Sequence, residues 1–165
     1  MKYLCLIAAL LLSTTLQATT DHPLVTQLLA QDKAPPGVVF EIVTGDHKAL
    51  AWAIPKVSDY AKRLRTRFPK LEIAVVTHGQ EMFALQKDKR SAAPAVHADI
   101  EKLVKEQQIP VHVCETYAGW RGISAEAFPD YVNVSPTGPV QVKNYMALDY
   151  VLIKISSPAN GSPVL

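Results

Sequence analysis

Apolar and polar positions along the chain fall into short blocks whose period changes repeatedly. Leu24, Val25, Leu28 and Leu29 recur at helical spacing and predict a helix over 22–32, which Lys33-Ala-Pro-Pro-Gly37 breaks. Val38 to Thr44 is a β-branched apolar run, the first predicted strand, and Gly45-Asp-His47 reads as a turn. Residues 48–54 fit neither period. Ser58 reads as the cap of a second helix, with Val57, Ala61, Leu64 and Phe68 on its face and Pro69 at its end. Leu71 to Thr77 is the second strand and runs straight into His78-Gly79. A helix is expected from Gln80 to Lys89, and another from Pro94 with Val96, Ile100, Leu103 and Val104 on one face. Val111 to Cys114 is the third strand, and Tyr117 to Phe128 is a Gly-interrupted, partly helical segment. Tyr131 to Val134 is the fourth strand. Pro136-Thr-Gly-Pro139 opens a helix to Ala147, and Tyr150 to Ile155 is the fifth strand. Ser156 to Leu165, rich in Ser, Pro and Gly, reads as a loose tail.

Strands that alternate with helices imply βαβ units and a mostly parallel, five-stranded sheet. The strands are continuous apolar runs, as expected where helices cover both faces. The fold class is therefore α/β.

The first twenty residues follow a different logic. Lys2 supplies a positive start, Tyr3 to Leu12 is almost unbroken apolar chain, and Ser13 to Ala18 turns small and polar. That order is a secretory signal peptide, with cleavage expected between Ala18 and Asp21. The apolar run is shorter than the roughly 20 residues a membrane helix needs. The chain then divides into a signal peptide over 1–20, an N-terminal helix and linker over 21–37, an α/β domain over 38–155 and a tail over 156–165. The mature product is expected to be exported and soluble, periplasmic in a Gram-negative source, with no membrane partner.

Composition adds limits rather than identity. Of 165 residues, 48% are apolar and 19% charged, which excludes wholesale disorder. The 17 basic and 15 acidic residues leave a net charge of +2, too small an excess to point to nucleic acid. Signal removal takes Cys5 with it and leaves Cys114 as the one cysteine, so no internal disulfide can form.

In an open parallel sheet, ligands gather beyond the carboxyl ends of the strands. His47 follows strand one, His78 follows strand two, and Cys114 closes strand three. A thiolate is a good nucleophile, and a helix start or a cation such as Arg121 would favour it. An inert, buried cysteine is equally open from position alone. His78 reads either as a base or substrate contact or as a polar strand-end turn. Strand alternation puts His112 on the same face as Cys114. His22, His47 and His97 have no partner spacing, and no pair matches a zinc motif, so neither metal nor cofactor is expected. Lys62, Arg63, Arg65 and Arg67 form a basic helix face, and Trp52 and Trp120 fit either core or interface.

Ala74-Val-Val-Thr-His-Gly79, then Val111-His-Val-Cys-Glu-Thr-Tyr-Ala-Gly-Trp-Arg-Gly-Ile123, then Val134-Ser-Pro-Thr-Gly138 and a closing strand resemble the DsrE/DsrF-like (YchN-like) family over roughly 38–155. Cys114, Arg121, Gly122, Ile123, Pro136 and Gly138 keep the family pattern. Glu115-Thr-Tyr117 departs from it where an Asn-Thr pair is usual, as do Met146 and Asp149 where Gln and Gly are frequent. The resemblance implies a three-layer α/β/α fold, a homotrimer or hexamer, and sulfur handling on Cys114 with a sulfur-donor or redox protein as partner. With the residue reading it gives an exported sulfur carrier or sulfurtransferase-like protein. In that reading Cys114 holds a persulfide, Arg121 stabilises the thiolate and His78 contacts the donor. The thiol is expected to be accessible. The rival expectation is a non-catalytic oligomeric module that binds a small molecule or partner, with Cys114 inert.

Overall fold

The computed structural model describes residues 21–157. The expected signal peptide, and residues 158–165 of the expected tail, lie outside the described residues. The elements run α1 (Pro23–Leu29), β1 (Gly37–Ile42), α2 (Leu50–Arg67), β2 (Glu72–Thr77), α3 (Pro94–Lys105), β3 (Val111–Cys114), α4 (Glu115–Trp120), β4 (Asn133–Ser135), α5 (Gly138–Met146) and β5 (Tyr150–Ile155). The five strands form one all-parallel sheet in the order β4-β3-β2-β1-β5.

That order explains how the helices divide. From β1 through β4 the chain steps in one direction, so right-handed crossovers keep α2 and α3 on one face. Reaching β5 means travelling back past β3, β2 and β1, and the same handedness then puts α5 on the opposite face. The principal face buries Val38, Phe40, Ile42, Ile73, Val75, Val111, Val113, Ile153 and Ile155 against α1 to α4. The second face has a far smaller cluster, Val39, Ala74, Val76 and Val142, flanked by Tyr145, Tyr150 and Leu152.

Three elements differ from the sequence expectation. First, α2 starts at Leu50 and passes through Pro55, so Ser58 lies within the helix and caps nothing. Leu50, Ala53, Ile54, Val57, Tyr60, Ala61 and Leu64 make one buried stripe, and that burial outweighs the bond Pro55 cannot donate to Ala51. Second, Gln80 to Lys89 is no α-helix but two 3₁₀ turns, Gln80–Leu85 and Lys87–Lys89, separated by an extended Gln86. Glu81, Met82, Phe83 and Leu85 are all buried, more inward positions than one α-helical stripe allows. Third, β4 begins two residues later than the apolar pattern suggested and ends on Ser135.

The basic face of α2 is largely tied down. Arg63 holds Asp21 by two bonds of 2.8 and 2.6 Å, Arg65 donates to the carbonyls of Leu71 and Gln107, and Arg67 donates to that of Gln31. These side chains staple the N-terminal segment and the α3–β3 loop to the domain. Val25 and Leu28 of α1 belong to the same core.

If the long α2 stripe is right, Ile54→Ala should cost about 2–5 kcal/mol in urea unfolding, the usual range for a fully buried aliphatic. Ser58→Ala should move stability by no more than about 0.5 kcal/mol, whereas a helix cap would cost about 1 kcal/mol.

Candidate functional site

The ends of β3 and β4 mark the place where the sheet opens. The helix after β3 lies on the principal face, since Ala118 and Tyr117 of α4 pack into that core, while the helix after β4 lies on the other. Adjacent strands whose connections leave in opposite directions make a crevice, the usual ligand position in open α/β sheets. Thr116 bridges the two ends, its N–H and hydroxyl both donating to the Pro136 carbonyl at 3.1 and 2.7 Å.

Cys114 closes β3 at this switch point. Its sulfur accepts the N–H of Tyr117 at 3.4 Å, so the side chain caps α4. The expectation of an open thiol is corrected here: Cys114 is 5% exposed and packs within the principal cluster. The physical reason is the tight turn into α4, which folds Tyr117 back over the strand end. The same turn separates Cys114 from His112, whose ring goes to the α5 face.

Arg121 stacks on two aromatic rings. It lies just past the end of α4, with its guanidinium 5.8 Å from the Phe83 ring and 5.7 Å from the Tyr117 ring, and within 3.4 Å of the Tyr117 hydroxyl. Cation–π contact, rather than the sulfur, occupies it. Trp120 beside it is 77% exposed, edge-on to Tyr117.

His78 does reach the rim. The β2–β3 register pairs Thr77 with Val113, which brings His78 level with Cys114 on the neighbouring strand. His78 Nε2 lies 2.9 Å from Glu41 Oε1, and both side chains are largely covered, 11% and 13% exposed. The hydrogen bond from His78 holds the Glu41 carboxyl below the usual carboxylate range, against the opposing effect of burial, and Lys154 at 3.9 Å helps. Gly138, the first residue of α5, lies on the ring: a Cβ there would meet His78 Cβ at 2.3 Å and Cγ at 2.6 Å.

Two carboxylates that composition and spacing did not single out organise this rim. One is Glu41, an acidic residue inside an apolar strand. The other is Glu81, fully buried, which accepts from the Thr77 hydroxyl at 2.7 Å, Gly79 N–H at 2.8 Å and Thr44 N–H at 2.9 Å. An acid within an otherwise buried apolar run was the available signal for both. Two buried oxygens on loops leaving the same rim, Gln80 Oε1 and Thr137 Oγ1, have no hydrogen-bond partner among the described residues.

Three of the remaining histidines are held by hydrogen bonds within the fold. His112 lies between the Ser135 hydroxyl and the Tyr145 hydroxyl, at 2.9 Å from each, beneath α5. His97 bridges the Tyr131 hydroxyl and the Ala84 carbonyl, and His22 caps α1. His47 is exposed in the turn after β1. Among the described residues no group of three or more His, Cys, Asp or Glu side chains is placed to hold a metal ion. Nor is any described helix long and apolar enough to cross a membrane.

A protein of unknown function from Methanobacterium thermoautotrophicum superposes with a TM-score of 0.58 at 19% identity, covering 72% of this chain and 97% of that one. The ychN protein of E. coli superposes at 0.50 with 17% identity, covering 72% and 99%. The fold is YchN-like. A conserved protein of unknown function from Bacteroides thetaiotaomicron is similar at 0.50 and 14% identity, covering 71% and 93%. No family model matches the chain, and no curated protein matches it. The YchN-like, DsrE-like architecture thus rests on the sheet and its helices, since these identities carry the fold alone.

The buried histidines set a pH dependence. Burial holds His112 below the ordinary histidine range, and burial likewise lowers His22 and His97. A depressed folded value means that the unfolded chain takes up the proton first. Their contribution is therefore complete above the unfolded value near about 6.5 and is lost as pH falls through the folded one. Glu41 adds a second loss at lower pH, as its carboxyl passes from the ordinary range through its lowered folded value. Urea unfolding between pH 7 and 5 should show stability falling with acid, and His112→Gln should flatten that slope. An unchanged slope in the variant would contradict this assignment.

Proposed function

We propose that this protein is an exported, homo-oligomeric sulfur carrier or sulfurtransferase-like protein that holds a persulfide on Cys114. The observation that carries the reading is the placement of Cys114 at the β3–β4 switch point, with its sulfur receiving the Tyr117 N–H. In this reading the Tyr117 N–H orients the sulfur at the crevice. The thiolate attacks the outer sulfur of a persulfide or polysulfide donor. One donor S–S bond breaks, a Cys114 S–S bond forms, and the donor leaves as a thiolate one sulfur shorter. The outer sulfur of the product stands about 2 Å beyond Sγ, so a covered cysteine can still present it for transfer.

One observation favours a second reading, a non-catalytic oligomeric binding module: Cys114 is buried to the extent of an ordinary core cysteine. Oligomerisation is common to both readings. Of the large apolar side chains exposed in the described chain, Val140, Met146 and Leu148 lie on or just after α5, the one helix that covers the second face.

Polysulfide treatment should add one sulfur atom to the protein, removable by reductant and absent from Cys114→Ser, with fold and assembly intact. Intact-mass spectrometry reads this directly, and a native protein that takes up no sulfur would favour the binding module. For export and assembly, protein recovered from its native host should begin between Thr19 and Asp21 and scatter light as a trimer. Retained Met1, or a monomer at micromolar concentration, would contradict those two parts.

A further inference from the structure

We propose that His22 is an acid-sensitive latch: neutral, it fastens the N-terminal helix α1 to α2 and to the edge strand β5, and protonated, it lets α1 go while the rest of the domain stays folded. The latch is independent of the sulfur-carrier reading.

Three attachments meet on this one residue. Its ring nitrogen Nδ1 accepts the Leu24 N–H at 3.3 Å and so caps α1. Its backbone N–H donates to the Tyr60 hydroxyl of α2 at 3.1 Å, and Tyr60 is buried and stacked on Phe40 of β1. Its ring also hydrogen-bonds the Lys154 backbone of β5. That strand is an edge of the sheet, so the backbone groups on its outer side lie beyond the ladder. The helix held this way has 7 residues, with Val25 and Leu28 buried. Isolated helices shorter than about 12–15 residues are marginal in water, so α1 persists through its docking and its cap rather than alone.

The hydrogen-bond chemistry makes the latch sensitive to acid. A nitrogen that accepts an N–H keeps its lone pair, so the docked ring is neutral with its proton on Nε2. A second proton goes to Nδ1, where it faces the Leu24 N–H donor to donor and ends the cap. The charged and titratable groups packed around His22 are Asp21 beside it, Lys56, Asp59, Tyr60 and Arg63 of α2, and Lys154 of β5. Lys56 repels a proton on the ring, and burial keeps the Tyr60 hydroxyl neutral. Arg63 holds the Asp21 carboxyl below the ordinary range, so that pair stays charged from pH 7 to 5 and the change falls on His22.

The sign follows from the two states of the ring. Docked, His22 lies below the ordinary histidine range, through burial first and Lys56 second. Released, it regains a value near about 6.5. The docked state is therefore fully favoured above that value and loses up to about tenfold per pH unit as pH falls towards the docked value. Release uncovers the Val25 and Leu28 stripe, the α2 surface it packs on and the outer side of β5 together.

Hydrogen exchange of the full mature chain, read by mass spectrometry and corrected for the intrinsic effect of pH, tests the latch. At pH 5 the wild-type α1 amides should exchange about tenfold or more faster than those of α3, and their protection should climb by up to about tenfold per pH unit towards pH 7. His22→Asn puts an amide oxygen in the place of Nδ1, so it caps Leu24 without titrating. In that variant the protection of α1 should be the same at pH 5 and pH 7, which separates lost titration from a lost helix. Wild-type α1 protection that does not change with pH, or an equal fall in His22→Asn, would overturn the latch. So would α1 and α3 exchanging in step at pH 5, since α1 would then open only with the whole domain.

Discussion

A single buried carboxylate holds the working end of the sheet in shape. Glu81 accepts hydrogen bonds from Thr77, Gly79 and Thr44, and so ties the end of β2 to the loop leaving β1. Those two strands then keep register to their last residues, Ile42 opposite Thr77. Only with that register does His78 emerge beside Glu41 and level with Cys114. Two of the three donors are backbone N–H groups, and leaving the buried one of Gly79 unpaired would cost on the order of 1–3 kcal/mol. The close approach of Gly79, where a Cβ would meet the Glu81 carboxylate and the Thr44 backbone at 2.4–2.6 Å, shows how tightly the loops converge on it.

The second constraint is the asymmetry of the two faces. Among the described residues, four helices build a deep core on one side, while α5 alone covers the other and rests on a small apolar cluster. Its N-terminus is pinned where Gly138 meets His78, and its C-terminal turn is pinned where Tyr145 meets His112. The helix that forms one wall of the switch-point crevice is thus fastened to polar residues of the sheet as much as to apolar ones.

Much of this architecture was legible in the sequence, for physical reasons that can be named. The interior strands are largely apolar on both sides and stood out as runs, and β3 and β5 fell where their runs fell. The helices α3 and α5 announced themselves by Pro at the first turn, and α3 also by a single apolar face. The errors came where tertiary burial overrode local signals: Pro55 and Ser58 look like punctuation, yet the buried stripe of α2 runs through both. The segment after Gly79 has helical composition, but its inward-facing side chains are too crowded for an α-helix. At the site, His78 and Cys114 were visible as strand-end residues, while Glu41 and Glu81 were not, because an acid in an apolar run has no local pattern to mark its partner. The burial of Cys114 and the stacking of Arg121 on Tyr117 and Phe83 depend on how sharply α4 turns, which spacing does not encode.

The account stands or falls on whether Cys114 works in the folded protein, and thiol alkylation under native conditions measures that most directly. The mature protein would be treated with a small reagent such as iodoacetamide across a range of urea well below the unfolding transition. If the rim is a working thiol site, Cys114 reacts in the native state at a rate independent of urea, since the reagent enters the crevice without unfolding. If instead modification is undetectable without denaturant and rises in step with the unfolded fraction, Cys114 is a core side chain. The sulfur-transfer account would then be wrong.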